Sequence, residues 1–311
     1  MMQSDKTCLL VEQYLGYLTT IKGRSINTIL EYRTDILSFF KFVSESRGER
    51  YTDFRYANLC FIKSITLSDM YNYISYCQST LNSSAGTRAR KIVSIRQFWK
   101  YLKTKIHLID NNIAEELETP KLPKRIPKYL TLEESVRLLI ETKASSARDN
   151  CIITIFLNCA LRLSELAVLN VDQVNSDVLS VIGKGNKERK IFITPAVKQA
   201  LTEWLSVRRA MCVDTDALFI SKNHQRITTR SIQNVVKKHV IAAGLSPEEI
   251  SAHKLRHTAA TLMYKYGHVD IRSLQQILGH ESIATTEIYT HIDEAQLQAA
   301  VNANPLAMMF S

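Results

Sequence analysis

The chain of 311 residues, 45% of them hydrophobic, is long enough for two packed cores, since single domains run roughly 100–200 residues. A formal net charge of +10 favours an anionic partner, and with neither an apolar leader nor a run long enough to span a bilayer, nucleic acid is expected rather than a membrane. The six cysteines, at Cys8, Cys60, Cys77, Cys151, Cys159 and Cys212, form no C-x-x-C pair, which argues against a zinc or redox motif and suits a cytoplasmic location.

Residues 1–118 read as helical throughout. Val11, Tyr14, Leu15 and Leu18 recur at helical spacing. A second helix, from near Ser25, carries Ile29, Tyr32, Ile36, Phe39, Phe40 and Val43 on its buried face. A third, from Ser68, carries Met70, Tyr73, Ile74 and Cys77, and a fourth, from about Thr87, carries Ile92, Ile95, Phe98, Trp99 and Leu102. Four such helices predict a small bundle. The other face of the fourth helix carries Arg88, Lys91, Arg96, Lys100 and Lys103. A charged stripe is often only a solvated surface. Here the charges share one sign, so with Arg33 of the second helix they are expected to meet a phosphate backbone.

TPKLPKRIPK, residues 119–128, holds three prolines and four cations. Such a segment cannot lie inside a helix and is expected to be a stiff, basic linker. Beyond it, residues 129–311 form the second domain. Thr131 and Glu134 make a capping box. NCIITIFLNCA, residues 150–160, is apolar nearly all round and predicts a buried helix, with Cys151 and Cys159 as small core residues. VLSVI at 178–182 and RKIFI at 189–193 read as strands around the polar turn GKGNKE. Pro195 opens a helix running through Trp204 and Arg208, and ALFIS at 217–221 is expected to be a third strand. Ser246-Pro247-Glu248-Glu249 predicts a helix start, and residues 251–303 read as short helices with tight turns.

Several residues stand out chemically, each weakly when taken alone. His253 and Arg256, three apart on a helix, share a face and offer a proton-transfer group beside a cation; two surface polar residues would look the same. His280 follows Gly279, a natural helix stop, and is more often a packing residue than a catalyst. Tyr289 is one of 13 tyrosines, most of which must be structural. Arg162 follows the apolar helix and must be paired or face a ligand, with Glu165 as the candidate partner. Lys184, at the hairpin turn, is either merely exposed or a mobile proton donor.

Taken in order, Arg162, Lys184, His253, Arg256, His280 and Tyr289 are specific. Through ALRLSEL, IGKGNKERKIFIT, HKLRHTAATLM, DIRSLQQILGHESIATTEIYTHI and PKYLTLEESVRLL, the chain resembles the tyrosine recombinase (phage integrase-like) family. Its compact Xer-type branch is the most similar. SINTILEYRTDILSFFKFV and TRARKIVSIRQFWKYL resemble that family's core-binding domain, so the likeness covers nearly the whole chain.

The resemblance implies a mainly α protein. An N-terminal four-helix, SAM-like core-binding domain would join a mostly helical catalytic domain with a small antiparallel sheet, the two clamping DNA. It implies that Arg162 and Arg256 clamp the scissile phosphate, His280 hydrogen-bonds it, His253 orients it or acts as general base, Lys184 protonates the leaving 5′-oxygen and Glu165 supports the site. Tyr289 would attack phosphorus to give a 3′-phosphotyrosyl link, and strand exchange would pass through a Holliday junction without metal, cofactor or ATP. Paired core sites on double-stranded DNA and a homo-tetramer are implied, with or without a second recombinase or accessory protein. The role would be dimer resolution or mobile-element integration and excision. An N-terminal arm-binding domain is not expected. The residues after Tyr289, with Leu297, Ala300 and Val301 on one stripe, would dock on a neighbouring protomer. One departure is Ala160, where the family commonly has Gly: a left-handed backbone there would be strained, and a helical one is expected.

Three other classes compete. A type IB topoisomerase-like enzyme uses similar residues but needs no paired sites. A non-catalytic DNA-binding protein has no use for Tyr289, and a metal-dependent nuclease needs clustered carboxylates where this chain has cations.

Overall fold

In this computed structural model the described residues are 7–49, 53–122, 128–174, 177–182, 188–267, 269–280, 282–286 and 289. The chain divides into two compact units, Met1–Lys124 and Arg125–Ser311.

The first unit holds α1 (Leu9–Thr20), α2 (Ile26–Ser46), α3 (Leu59–Ser64), α4 (Leu67–Ser79) and α5 (Ala85–Thr104), with a 3₁₀ turn at Ile113–Glu116. Side-chain oxygens of Ser25, Thr66 and Ser84 cap α2, α4 and α5 by accepting from orphan backbone N–H groups. The short α3 adds a helix beyond the four that the periodicity predicts, and the Asn58 side chain caps it. Val11, Tyr14, Ile36, Phe39, Phe40, Met70, Phe98 and Trp99 meet in one core as the periodicity predicts. The cationic face of α5 is more engaged than expected. Arg90 and Lys91 both pair with Asp35, a carboxylate only 1% exposed on α2. Arg96 donates to the Leu117 carbonyl, Arg88 to the Ser83 carbonyl, and Arg33 pairs with Glu12 at 2.7 Å. Of the five expected DNA contacts, Lys100 is exposed and the other four are tied into the unit's own structure.

The second unit is built around α7 (Ala147–Cys159), buried on nearly every side and packed against α6 (Leu132–Ser145), α9 (Pro195–Ala210) and α11 (Ala252–Gly267). Between these come α8 (Leu163–Val168), β1 (Val178–Ile182), β2 (Glu188–Phe192), α10 (Thr229–Ala242), α12 (Ile271–Leu278) and a 3₁₀ turn at Ile283–Thr285. β1 and β2 pair antiparallel, with Leu179 opposite Ile191 and Val181 opposite Arg189. Two expectations fail here. Residues 217–221 form no strand: Ala217 and Ile220 make isolated bridges, and the apolar run is explained by burial beside Trp204. Ser246–Ile250 closes a single turn instead of opening a helix, because Ser246 spends its side chain on Glu248 and α11 begins only at Ala252.

Candidate active site

The site is assembled from the ends of helices. α7 stops at Ala160, whose backbone is left-handed at φ 49° and ψ 35°. The expected helical backbone at Ala160 is therefore wrong. This position carries the αL helix cap that usually falls to glycine, and alanine bears its strain, of about 1–2 kcal/mol. The reversal turns the chain so that Arg162 sits at the N-cap of α8 and Glu165 lies three residues on. The Glu165 carboxylate accepts from the Arg162 backbone N–H at 2.7 Å and from its guanidinium at 2.8 Å.

Glu165 is 4% exposed and holds a second arginine more fully. Arg189 of β2 donates to both carboxylate oxygens at 2.7 Å. The pleat explains this reach: Arg189 lies two residues from buried Ile191 and so points to the same face. Burial alone would raise the Glu165 carboxyl, but hydrogen bonds from Arg189 and Arg162 outweigh it and hold it down to about 2.

The C-terminus of α12 orders all three arginines. Its last carbonyls have no helical partners and form the negative end of the helix dipole. Arg189 donates to the Ile277 carbonyl at 3.0 Å, Arg256 to Leu278 at 2.6 Å and Arg162 to Gly279 at 2.7 Å. Arg256 also donates to the Ala160 carbonyl at 2.7 Å, so the two helix ends jointly fix it. Gly279 is at φ 61°, and a Cβ there would lie 3.0 Å from the Arg189 side chain. Glycine is needed both for the left-handed turn and for this approach.

His253, Arg256 and His257 project from α11. Arg256 is 4% exposed. Burial and the neighbouring Arg162 charge lower it to about 10. His257 and His280 fall to about 4, first through burial, then through nearby His253 and Lys254 in one case and Arg256 and Arg162 in the other. Burial likewise lowers His253. His280 Nδ1 bonds the Thr286 hydroxyl at 3.0 Å. Tyr289 is 2% exposed, and its hydroxyl lies 2.6 Å from His257 Nδ1. Burial raises its phenol to about 12, against the pull of Arg256.

Arg162, Arg189, Met263, Gln276, Gly279 and His280 border a groove of about 1150 Å³. Five sequence-predicted catalytic residues, Arg162, His253, Arg256, His280 and Tyr289, thus come together with Glu165. Lys184 lies outside the described residues. Two participants were missed. In the sequence Arg189 stands only as a strand residue, and its alternation with Ile191 is the signal that points it inward. His257 lies in the same motif as His253, and the signal for it is that i and i+4 share a helical face. Among the described residues no cluster of His, Cys, Asp or Glu is arranged to hold a metal ion, and no helix is long and apolar enough to cross a membrane.

The phage integrase family profile matches residues 128–296, and that of the phage integrase N-terminal SAM-like domain matches residues 11–105. The chain belongs to the phage integrase family of tyrosine recombinases. Tyrosine recombinase XerC of Caldanaerobacter subterraneus subsp. tengcongensis is 46% identical, over 98% of this chain and 89% of the relative. The crystal structure of XerA recombinase matches with 28% identity and a TM-score of 0.52, covering 94% of this chain and 97% of that one. XerH bound to a palindromic difH substrate, a post-cleavage complex, shares the fold with a TM-score of 0.72 and 23% identity, over 94% of this chain and 84% of that one. This tyrosine recombinase is therefore a site-specific DNA recombinase, mainly helical, with an N-terminal SAM-like region and a small two-stranded sheet.

Proposed function

We propose that Tyr289 is the nucleophile of this recombinase and that Arg162 and Arg256 bind the scissile phosphate. The observation that carries the reading is the crowding of three arginines at the end of α12, where a buried phenol packs with Leu278 and Ala160. Arg162, Arg189 and Arg256 stand together there, and burial and the neighbouring Arg162 charge lower Arg256 to about 10. Three guanidinium charges around the single Glu165 carboxylate leave the site positive, and a phosphate would balance it. The fixed guanidinium forks suit the non-bridging oxygens of a phosphate whose charge grows in the transition state. The Thr286 hydroxyl, donating to His280 Nδ1, would leave the ring proton on Nε2 as a further donor.

In this reading the Tyr289 oxygen bonds to phosphorus, the bond from phosphorus to the 5′-oxygen breaks, and Lys184 supplies that oxygen's proton. One phosphoester replaces another, so a 5′-hydroxyl from a second strand reverses the step without an external energy source. Residues 1–118 act as a core-binding domain and residues 129–311 as the catalytic domain, joined by the basic linker at 119–128. Lys100, with Arg33, Arg88, Lys91 and Arg96, contributes to the surface met by double-stranded DNA. Four protomers act on paired sites, coupled through the residues after Tyr289. The 46% identity to a XerC recombinase supports dimer resolution over mobile-element transfer.

The test is covalent capture. A pool of nicked duplexes with randomised cores is incubated with the protein, and DNA that stays attached after denaturation is sequenced. Wild type yields adducts with a common core; Tyr289→Phe yields none. Absence of any wild-type adduct overturns the reading.

A further inference from the structure

The atom nearest the Tyr289 hydroxyl among its hydrogen-bond partners belongs to a residue with no assigned part in the reaction. His257 Nδ1 lies 2.6 Å from the phenolic oxygen, and His257 Nε2 lies 3.1 Å from His253 Nε2. The two imidazoles stand edge to face, 4.6 Å apart, on consecutive turns of α11. Three groups therefore form one unbroken line: phenol, His257, His253. The far end is the histidine expected to act as base or to orient the phosphate. His253 itself makes no bond to the phenol among the described contacts.

A neutral imidazole has one donor and one acceptor nitrogen, so the two bonds in the line must run in the same direction. We propose that His257 takes the Tyr289 proton directly and passes its own to His253. The phenolic O–H donates to His257 Nδ1, and His257 Nε2–H donates to His253 Nε2. As the tyrosine oxygen bonds to phosphorus, its proton moves to His257 Nδ1 and the proton on His257 Nε2 moves to His253 Nε2. The charge of the phenol passes into the phosphoester, His257 returns to neutral as the other tautomer, and the positive charge rests on His253, on the α11 face it shares with Arg256.

This relay answers a difficulty of the site. A phenol 2% exposed has little water to ionise into, and burial moves it away from ionisation. His257 is neutral over the working range, because burial and the charges of His253, Lys254, Arg256 and His280 all disfavour its protonation. An acceptor kept neutral and in contact with the phenol is what the step requires.

The inference rests on Tyr289 being the nucleophile, and the experiment separates the two. Single-turnover cleavage of a captured nicked duplex is followed from pH 6 to 9 for wild type, Tyr289→Phe, His257→Gln and His257→Ala. Glutamine keeps a hydrogen-bond acceptor for the phenol but cannot take its proton. The expected result is a fall of about 100-fold in the His257→Gln cleavage rate, with a rate that climbs with pH more steeply than wild type. Added imidazole should partly restore the His257→Ala protein, which also covers the case of a misfolded glutamine variant. A His257→Gln rate within about tenfold of wild type, an unchanged pH profile, or no imidazole rescue overturns the relay while leaving the nucleophile in place. Adduct formation by Tyr289→Phe overturns both.

Discussion

At the residue scale the site depends on arginine as such. Arg256 places one nitrogen on the Ala160 carbonyl and another on Leu278, a fork that lysine cannot reproduce. Arg256→Lys should lower single-turnover cleavage by at least about 100-fold, the usual cost of removing a transition-state donor, with little change in DNA retention; equal loss of both would contradict this assignment. Glu165 gives a pH-dependent prediction. Its carboxyl falls from an ordinary 4.5 to about 2 in the folded chain, so the unfolded state binds more protons between these values. Its stabilisation is complete above pH 4.5 and is lost as pH falls towards 2; the shift corresponds to about 3 kcal/mol. Urea unfolding of Glu165→Gln should show a deficit at pH 6 that narrows at pH 3. The histidines act in a higher window: His257 and His280, lowered from 6.5 to about 4, stay neutral in the fold, so stability should decline as pH drops through that interval. A constant urea midpoint from pH 7 to 4 would contradict that. Ordered side chains such as Arg162, His253 and Tyr289 were legible in the sequence because the family motifs fix their identity. Arg189 was not, because its contact with Glu165 spans 24 residues and exists only in the folded chain.

At the element scale the end of α12 is the organiser. Three successive carbonyls receive three different arginines, and the left-handed Gly279 sets their spread. Gly279→Ala forces a side chain into positive φ and against Arg189. A loss of about 1–2 kcal/mol of stability follows from the backbone alone, accompanied by slower cleavage; an unchanged rate would mean that the arginines do not depend on this turn. Helix stops of this type are half legible. Gly279 announced one, whereas Ala160 hid one, since alanine is the residue least suggestive of a helix end. The residues 217–221 and 246–249 misled for related reasons. A short buried apolar run looks the same as strand or as bridge, and a capping pattern specifies a first turn without ensuring a second.

At the scale of the whole molecule, the two units carry the family's two domain profiles, and the all-helical reading of the first was legible because its cores follow the 3.6-residue period closely. What was not legible is how much of the basic stripe on α5 is spent internally, since Asp35 arrives from another helix. DNA affinity should nevertheless be strongly salt-dependent. A protein making six or more phosphate contacts loses at least about 10³-fold between 50 and 200 mM salt, measurable by fluorescence anisotropy on a duplex carrying the captured core; a flat response would contradict a phosphate-clamping surface. Deletion of the residues after Ile292, which lie outside the described residues, should leave single-site cleavage intact and weaken tetramer formation on DNA. The most direct test of the account is to digest the denatured covalent adduct with protease and nuclease and locate the residual nucleotide by mass spectrometry. The account predicts it on the peptide containing Tyr289, linked through the 3′-phosphate; a nucleotide on any other residue, or linked through a 5′-phosphate, would contradict it.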